Sequence, residues 1–292
     1  MNKSKIGGVE GEHISRRQQP PGGQAPVVAR VRLRYAKRGP LRFTSHRDFA
    51  RAFERALRRA RVPVAYSQGY TPHPRISYAS AAPTGVASEA EYLELGLQAE
   101  MPAAELAHAL DAVLSPGLDV LDAVPVPPGA TGLAERLEAS RWRIELPGVE
   151  PEPLRRAVAA FEAAEQVPVE RLTKQGRRTF DARSAVVAMR VTAAPAPGST
   201  TGPTNGSATG AAPGAPSGVA GVPCAILDCV VRQVTPAVRP DDVLTGLRVV
   251  ADLEPPVPPR VTRLAQGPLT SRGEILDPLA VDRDGMPAES VG

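Results

Sequence analysis

Cysteine is nearly absent from this chain: Cys224 and Cys229 are the two in 292 residues. Two thiols cannot build the disulfide framework of a small secreted domain, and an iron–sulfur cluster usually takes about four thiolates from its protein. On a strand their odd spacing sends them to opposite faces, so joint metal binding is not expected and both read as small core or loop residues. Aromatic residues are scarce, at 4%. No apolar run approaches the roughly 20 residues needed to cross a bilayer, so no membrane contact is expected. The stretch from Met1 to Pro26 is polar and holds no apolar signal core, which leads to an expected cytoplasmic location. There is no GxxxxGK[ST], no GxGxxG opening a helix and no HExxH, so the common phosphate-loop, dinucleotide and zinc-protease signatures are missing. No cofactor and no metal are expected.

Proline and glycine are plentiful, at 32 and 26 residues, and they mark out the organisation. Residues 193–223 carry no charge and contain six Pro and seven Gly. Too few large apolar groups remain in that tract to offset the entropy of ordering it. Residues 1–26 read as a disordered N-terminal tail, and residues 267–292, rich in Gly, Pro and Asp, as a flexible C-terminal tail. What remains suffices for two domains of about 100 residues each. In the first, residues 27–128, Val31, Leu33 and Tyr35 alternate with Arg30, Arg32 and Arg34, the period of a half-buried strand. A helix follows with Ser45 as its N-cap and Asp48 three residues on, and with Phe49, Phe53, Leu57 and Ala60 on one stripe. Strands are predicted at 75–81, 90–97 and 118–124, with a second helix through Leu106 and Leu110. The second block, residues 140–266, repeats the order, starting from the alternation of Trp142, Ile144 and Leu146. Two successive βαββαβ units predict an α+β fold of two tandem ferredoxin-like domains, the second interrupted by the 193–223 insertion.

Charge is unevenly placed. Residues 27–75 hold 13 Arg or Lys against Asp48 and Glu54, a balance of +11, whereas residues 76–292 come to −9. Such asymmetry points to an anionic partner, most often nucleic acid; the plainer reading is a basic face that meets the acidic remainder of the same chain. Arg42, Ser45, His46, Arg47, Arg51 and Arg55 surround the start of the first helix. Ser67, Gln68, Tyr70, His73 and Arg75 stand on a loop braced by Gly69, Pro72 and Pro74. A rigid loop with an aromatic ring, an imidazole and a guanidinium suits a stacked base or a phosphate. Tyr66, Tyr70 and Tyr78 are the stacking candidates, while Phe49 and Phe53 belong to the core. Ser45 is better explained as a cap than as a nucleophile, having no base–orienter pair. A histidine at a helix start is more often a surface group than a catalyst, and two histidines do not make a zinc site. In the second block Lys174, Arg177 and Arg178 form a basic turn between strands. It suits either a phosphate clamp or a solvated hairpin tip, with Asp181 capping a short turn.

Three runs carry a resemblance: FTSHRD at 43–48, SQGYTPHPRIS at 67–77 and PTGVASEAEYLEL at 83–95. TKQGRRTFDAR at 173–183 and Val238-Arg239-Pro240-Asp241-Asp242 extend it more loosely, so that it covers most of residues 30–265. On these the chain resembles an uncharacterised bacterial family of radical SAM-linked (radical SAM-associated) proteins, a domain of unknown function. Its members occur fused to or paired with radical SAM proteins. The resemblance implies an accessory role beside a separate radical SAM protein. This chain lacks the CxxxCxxC thiolate triad of the radical enzyme itself. The leading expectation is a binding or substrate-recognition module, with RNA as the candidate ligand of the first domain. The alternative is a stand-alone enzyme in which His46, His73 and Arg75 converge on a small anionic substrate.

Overall fold

A computed structural model describes residues 26–68, 70–173, 176–193 and 222–285. The N-terminal tail up to residue 25, nearly all of the 193–223 tract, Gly69 and Lys174 lie outside the described residues. In chain order the first half consists of β1 (Ala29–Lys37), α1 (His46–Arg59), β2 (Ile76–Ala79), β3 (Ala87–Leu97), α2 (Ala103–Asp111) and β4 (Leu118–Pro125). The second half runs β5 (Ala139–Pro147), α3 (Pro151–Ala163), β6 (Pro168–Thr173), β7 (Gly176–Asp181), β8 (Val186–Ala193), β9 (Cys224–Arg232), α4 (Pro240–Ala251) and β10 (Arg260–Gly267). A short α5 (Ala280–Asp284) follows. The fold is mixed α+β, built on one large mixed sheet.

The periodicity explains most of these elements. Val31, Leu33 and Tyr35 of β1 and their cross-strand partners Leu95 and Leu93 face Phe49, Phe53, Ala56 and Leu57 of α1 and Leu106 and Leu110 of α2. Each such side chain contributes about 1.5–3 kcal/mol by leaving water. Ser45 caps α1 as its position implies: its hydroxyl accepts from the Asp48 amide at 3.2 Å and donates to the Asp48 carboxylate at 2.7 Å. In the second half Trp142, Ile144 and Leu146 of β5 pack with Leu154, Val158 and Phe161 of α3 and Val243 and Leu247 of α4. The two helices meet closely at Gly246, where a Cβ would lie 2.6 Å from the Phe161 ring.

The sheet runs β4-β1-β3-β10-β5-β9-β8, with β2 also paired to β3. Because β2 covers only residues 92–95 of β3, the other end of that long strand is open. There β10 pairs in parallel through Thr262↔Ala87 and Arg263↔Ser88, joining the two halves into one sheet; every other pairing is antiparallel. Side chains reinforce this two-residue seam. Arg263, 2% exposed, forms an ion pair with Glu91 and donates to Gln266, whose amide in turn donates to the Ala90 carbonyl at 2.6 Å. The guanidinium also lies 5.3 Å from the Trp142 ring centroid.

The strands expected on either side of the basic turn are β6 and β7, which pair with each other and stand apart from the main sheet. Both strands are largely exposed, so no apolar alternation announced which sheet they join. One expectation needs correction. The segment after Gly267, read as a flexible tail from its composition, packs through its described part, up to residue 285. Leu279 is fully buried against Tyr92, Val124, Leu133 and Leu137 on the face of the sheet opposite α1. A Cβ on Gly267 would meet the Leu276 carbonyl at 2.1 Å, so the return of this segment requires glycine there. Asp282, 1% exposed, is held between Arg32 at 2.8 Å and Arg136 at 2.8 and 2.9 Å. Its partners come from distant parts of the chain, which composition does not reveal.

The thiols behave as their strand positions imply. Cys229 lies opposite Trp142 in the core, where burial pushes its thiol up to about 12, whereas Cys224 is half-buried. Alkylation at about pH 8 is expected to leave Cys229 unmodified in the folded protein and to label it only on unfolding, as mass spectrometry would show; labelling of the folded chain at Cys229 would contradict this packing. Removing the Asp282 carboxylate leaves the buried Arg136 guanidinium without a carboxylate among the described residues and Arg32 with Glu94 alone, so Asp282→Ala is expected to lower the unfolding free energy by about 3 kcal/mol in urea titration. Replacement of the exposed Arg272 by Ala should stay within about 0.5 kcal/mol.

Candidate functional site

The basic segment divides into two groups with different fates. The strand residues are engaged within the protein. Arg32 is buried between Glu94 and Asp282, and the Arg34 guanidinium donates to the Glu89 carbonyl at 2.9 Å. Arg38 is clamped by Glu89 and Asp119, with the Glu89 hydrogen bond raising its pKa further. Lys37 is buried, and burial lowers its pKa. These charges serve the fold and are not offered to a partner.

The helix arginines differ. Arg47, Arg51, Arg55, Arg58 and Arg59 of α1 are all exposed. Their spacing places them along one face, with successive members at four-residue intervals rising about 6 Å. Among the described residues the only carboxylate within ion-pair distance of any of them is Glu54, 4.0 Å from Arg58; Asp48, in the first turn, is engaged by its cap with Ser45. Amphipathicity explains the division: the apolar stripe of α1 faces the sheet, and the arginines take the opposite side.

Around the start of α1, Arg42 sits on a 3-10 turn over residues 39–43, its guanidinium 4.7 Å from the centroid of Phe43. Phe43 is 61% exposed, large for a phenylalanine beside so much charge. His46 is exposed at the first turn and meets the Tyr78 ring edge-on at 4.9 Å. The 67–75 loop is closed by a reciprocal pair: Ser67 donates its amide to the His73 carbonyl at 2.8 Å, and its hydroxyl accepts from the His73 amide at 3.0 Å. Gln68, Tyr70, His73 and Arg75 are exposed on it, Tyr70 at 71%. The loop feeds into β2, whose Tyr78 packs on His46 and Phe49. His46 and His73 are thus held by different partners, one a ring and the other a loop backbone.

Tyr78 is therefore packed and not displayed, unlike the expectation that made it a stacking candidate; Phe43 is the ring that was overlooked. The Tyr78 hydroxyl is buried with no hydrogen-bond partner among the described residues. Burial, followed by the nearby Glu54 charge, raises its pKa. In the second half Arg177 and Arg178 are exposed on the β6–β7 hairpin, Arg177 being 3.3 Å from Glu170. Asp181 ends that hairpin and caps the next turn. Burial works against its charge, but the amides of Val167, Arg183 and Ser184 hold the carboxyl below its ordinary range.

A further group of residues, outside the sequence-based candidates, meets where the halves join. A cleft of about 420 Å³ is lined by Ser80, Pro83 and Thr84 from the first half and by Trp142, Arg232, Gln233 and Arg239 from the second, with Arg263 at its base. The Glu91 carboxylate also accepts from the Ala82 amide at 3.0 Å, so the ion pair that secures the seam fixes one wall of the cleft as well. The opposite wall is secured by Arg171, which donates to the Ala237 carbonyl at 2.6 Å and pairs with Asp242 at the start of α4. Two runs noted in the sequence, Pro83-Thr84-Gly85 and Val238-Arg239-Pro240, come together here.

An orphaned buried hydroxyl costs stability that an apolar ring of the same shape avoids. Tyr78→Phe is therefore expected to raise the unfolding free energy by about 1 kcal/mol in chemical denaturation. A loss of similar size would mean the hydroxyl has a partner in solution.

Comparison with known proteins gives one family. Residues 30–240 match the family described as an uncharacterized protein conserved in bacteria (DUF2344), from the second residue of β1 to the first residue of α4. No curated protein matches the chain. The matched span takes in β1, α1, the 67–75 loop and the residues that wall the cleft up to Pro240, and it covers most of the chain, so the protein belongs to this bacterial family.

Proposed function

We propose that the protein is a radical SAM-associated accessory protein, a binding module that holds RNA on its first half for a separate radical SAM enzyme in the cytoplasm. The observation that carries the binding reading is the face of α1: five exposed arginines with one carboxylate near them among the described residues. Like charges at this density repel one another, and a polyanion with regularly spaced phosphates relieves the repulsion. Phe43, capped by Arg42, adds an exposed ring of the kind on which single-stranded bases stack. The radical SAM association rests on the resemblance of the 43–48, 67–77 and 83–95 runs. The accessory role follows from the same resemblance and from a chain without the cluster-binding triad.

The strand orders support the ferredoxin-like reading of the architecture. The first half runs β4-β1-β3-β2 and the second β10-β5-β9-β8, the same order when the separate β6–β7 hairpin is left out and the strands of each half are numbered from its own first. Such α+β units place helices on one face of the sheet, and here that leaves α1 with its arginines outward.

Electrophoretic mobility shift with a short single-stranded RNA tests the RNA reading. If about four phosphates are contacted, affinity should fall roughly 50-fold between 50 and 200 mM salt. The double reversal Arg51→Glu/Arg55→Glu should weaken binding by at least about tenfold and flatten the salt slope, with Phe43→Ala also weakening it. Binding insensitive to salt and to the reversal would overturn the assignment. Co-purification with a protein carrying CxxxCxxC is the expected result for the partner; recovery without one would remove the radical SAM part.

A further inference from the structure

We infer that the cleft between the two halves binds a nucleoside monophosphate, either free or as one residue of an RNA strand. The rim carries Arg232, from the end of β9, and Arg239, from the residue before α4, and both are exposed. Neither has a carboxylate within ion-pair distance among the described residues, and no carboxylate lines the cleft. Arg263 differs: buried and paired with Glu91, it is part of the floor and carries no spare charge. Two guanidinium groups lining one concavity, at the two ends of the connection from β9 to α4, make a cationic pair of the sort that phosphate oxygens satisfy. Of the two acids in the first turn of α4, Asp242 is neutralised by Arg171 and by the Arg239 amide at 2.7 Å, and Asp241 is exposed outside the cleft lining.

The size and the remaining lining extend the ligand beyond a bare phosphate. A volume of about 420 Å³ lies within the range of small-molecule sites and far exceeds one phosphate. Ser80, Thr84 and Gln233 supply neutral donors and acceptors for a sugar or base, and Trp142 forms an aromatic part of the floor. Ser80 adopts a left-handed conformation at φ 46°, uncommon for a residue with a side chain, at the edge of this cavity. The site also adjoins the proposed RNA face: the Gly85 amide donates to the Arg42 carbonyl at 2.8 Å, which ties the Pro83–Thr84 wall to the turn bearing Arg42 and Phe43.

Calorimetric titration of the full chain with AMP, UMP, adenosine and inorganic phosphate tests the inference. The monophosphates are expected to bind more tightly than about 1 mM, and adenosine at least about tenfold more weakly than AMP. Arg232→Ala and Arg239→Ala should each weaken AMP by about tenfold, with unchanged circular dichroism. Arg51→Glu/Arg55→Glu should leave AMP binding as it is, so loss of the RNA reading and loss of this one are separable. Displacement of AMP by a short RNA would assign the site to a residue of the strand, and simultaneous binding would assign it to a free nucleotide. Equal affinity for adenosine and AMP, or indifference of AMP to both arginine substitutions, would overturn the inference.

Discussion

The joined sheet depends on one ion pair. Between β3 and β10 the backbone offers two residue pairs, too few to hold two halves in register without help from side chains. Arg263 and Glu91 provide that help in a site almost closed to water, where either group left alone would carry a large desolvation cost. The pairing is surrounded by further partners: Ser88 and Gln266 for the guanidinium, the Ala82 amide for the carboxylate and the Trp142 ring beside them. A polar seam thus separates two apolar cores. Because it is polar, it specifies which strands meet, whereas an apolar seam would tolerate a slipped alignment.

The same logic distributes the arginines. With thirteen basic residues in a short stretch, the chain faces self-repulsion unless carboxylates are brought in from elsewhere. Glu89 and Glu94 of β3, Asp119 of β4 and Asp282 of α5 do so for the strand positions and Arg38. Among the described residues no such carboxylate pairs with the arginines on the outer side of α1, apart from the marginal contact of Glu54. The plain reading of the charge asymmetry, a basic face meeting the acidic remainder of the chain, therefore holds for β1 and fails for α1. Net charge alone could not separate the two.

Local patterns were legible and long-range ones were not. The alternation of Val31, Leu33 and Tyr35, the Phe49/Phe53/Leu57 stripe and the Ser45 cap each depend on neighbours within a few residues, and each appears where the spacing placed it. The strands around the basic turn were legible, but not that β6 and β7 stand apart from the main sheet, because both faces of the hairpin are largely polar and period-2 reasoning could not place it. The segment ending in α5 escaped because its anchors, Leu279 and Asp282, meet residues far back in the chain, Asp282 reaching Arg32 250 residues earlier. The cleft was invisible for a related reason: its walls come from four separated stretches, and Arg232, Gln233 and Arg239 look like ordinary loop residues until folding brings Thr84 opposite them. Phe43 was visible as an aromatic, but exposure, which sets it apart from Phe49, is a tertiary property.

The pairing of β8 with β9 continues in register to Ala193↔Ala225, at the margin of the sheet. Among the described residues this ladder runs from Val186↔Val231 to Ala193↔Ala225, up to the start of the Pro- and Gly-rich stretch. Closure entropy changes by only about 0.6 kcal/mol when such a connection doubles in length. That junction is accordingly a permissive position, where a fluorophore, an affinity handle or a whole guest module can be spliced in while both cores and the seam between them stay as they are.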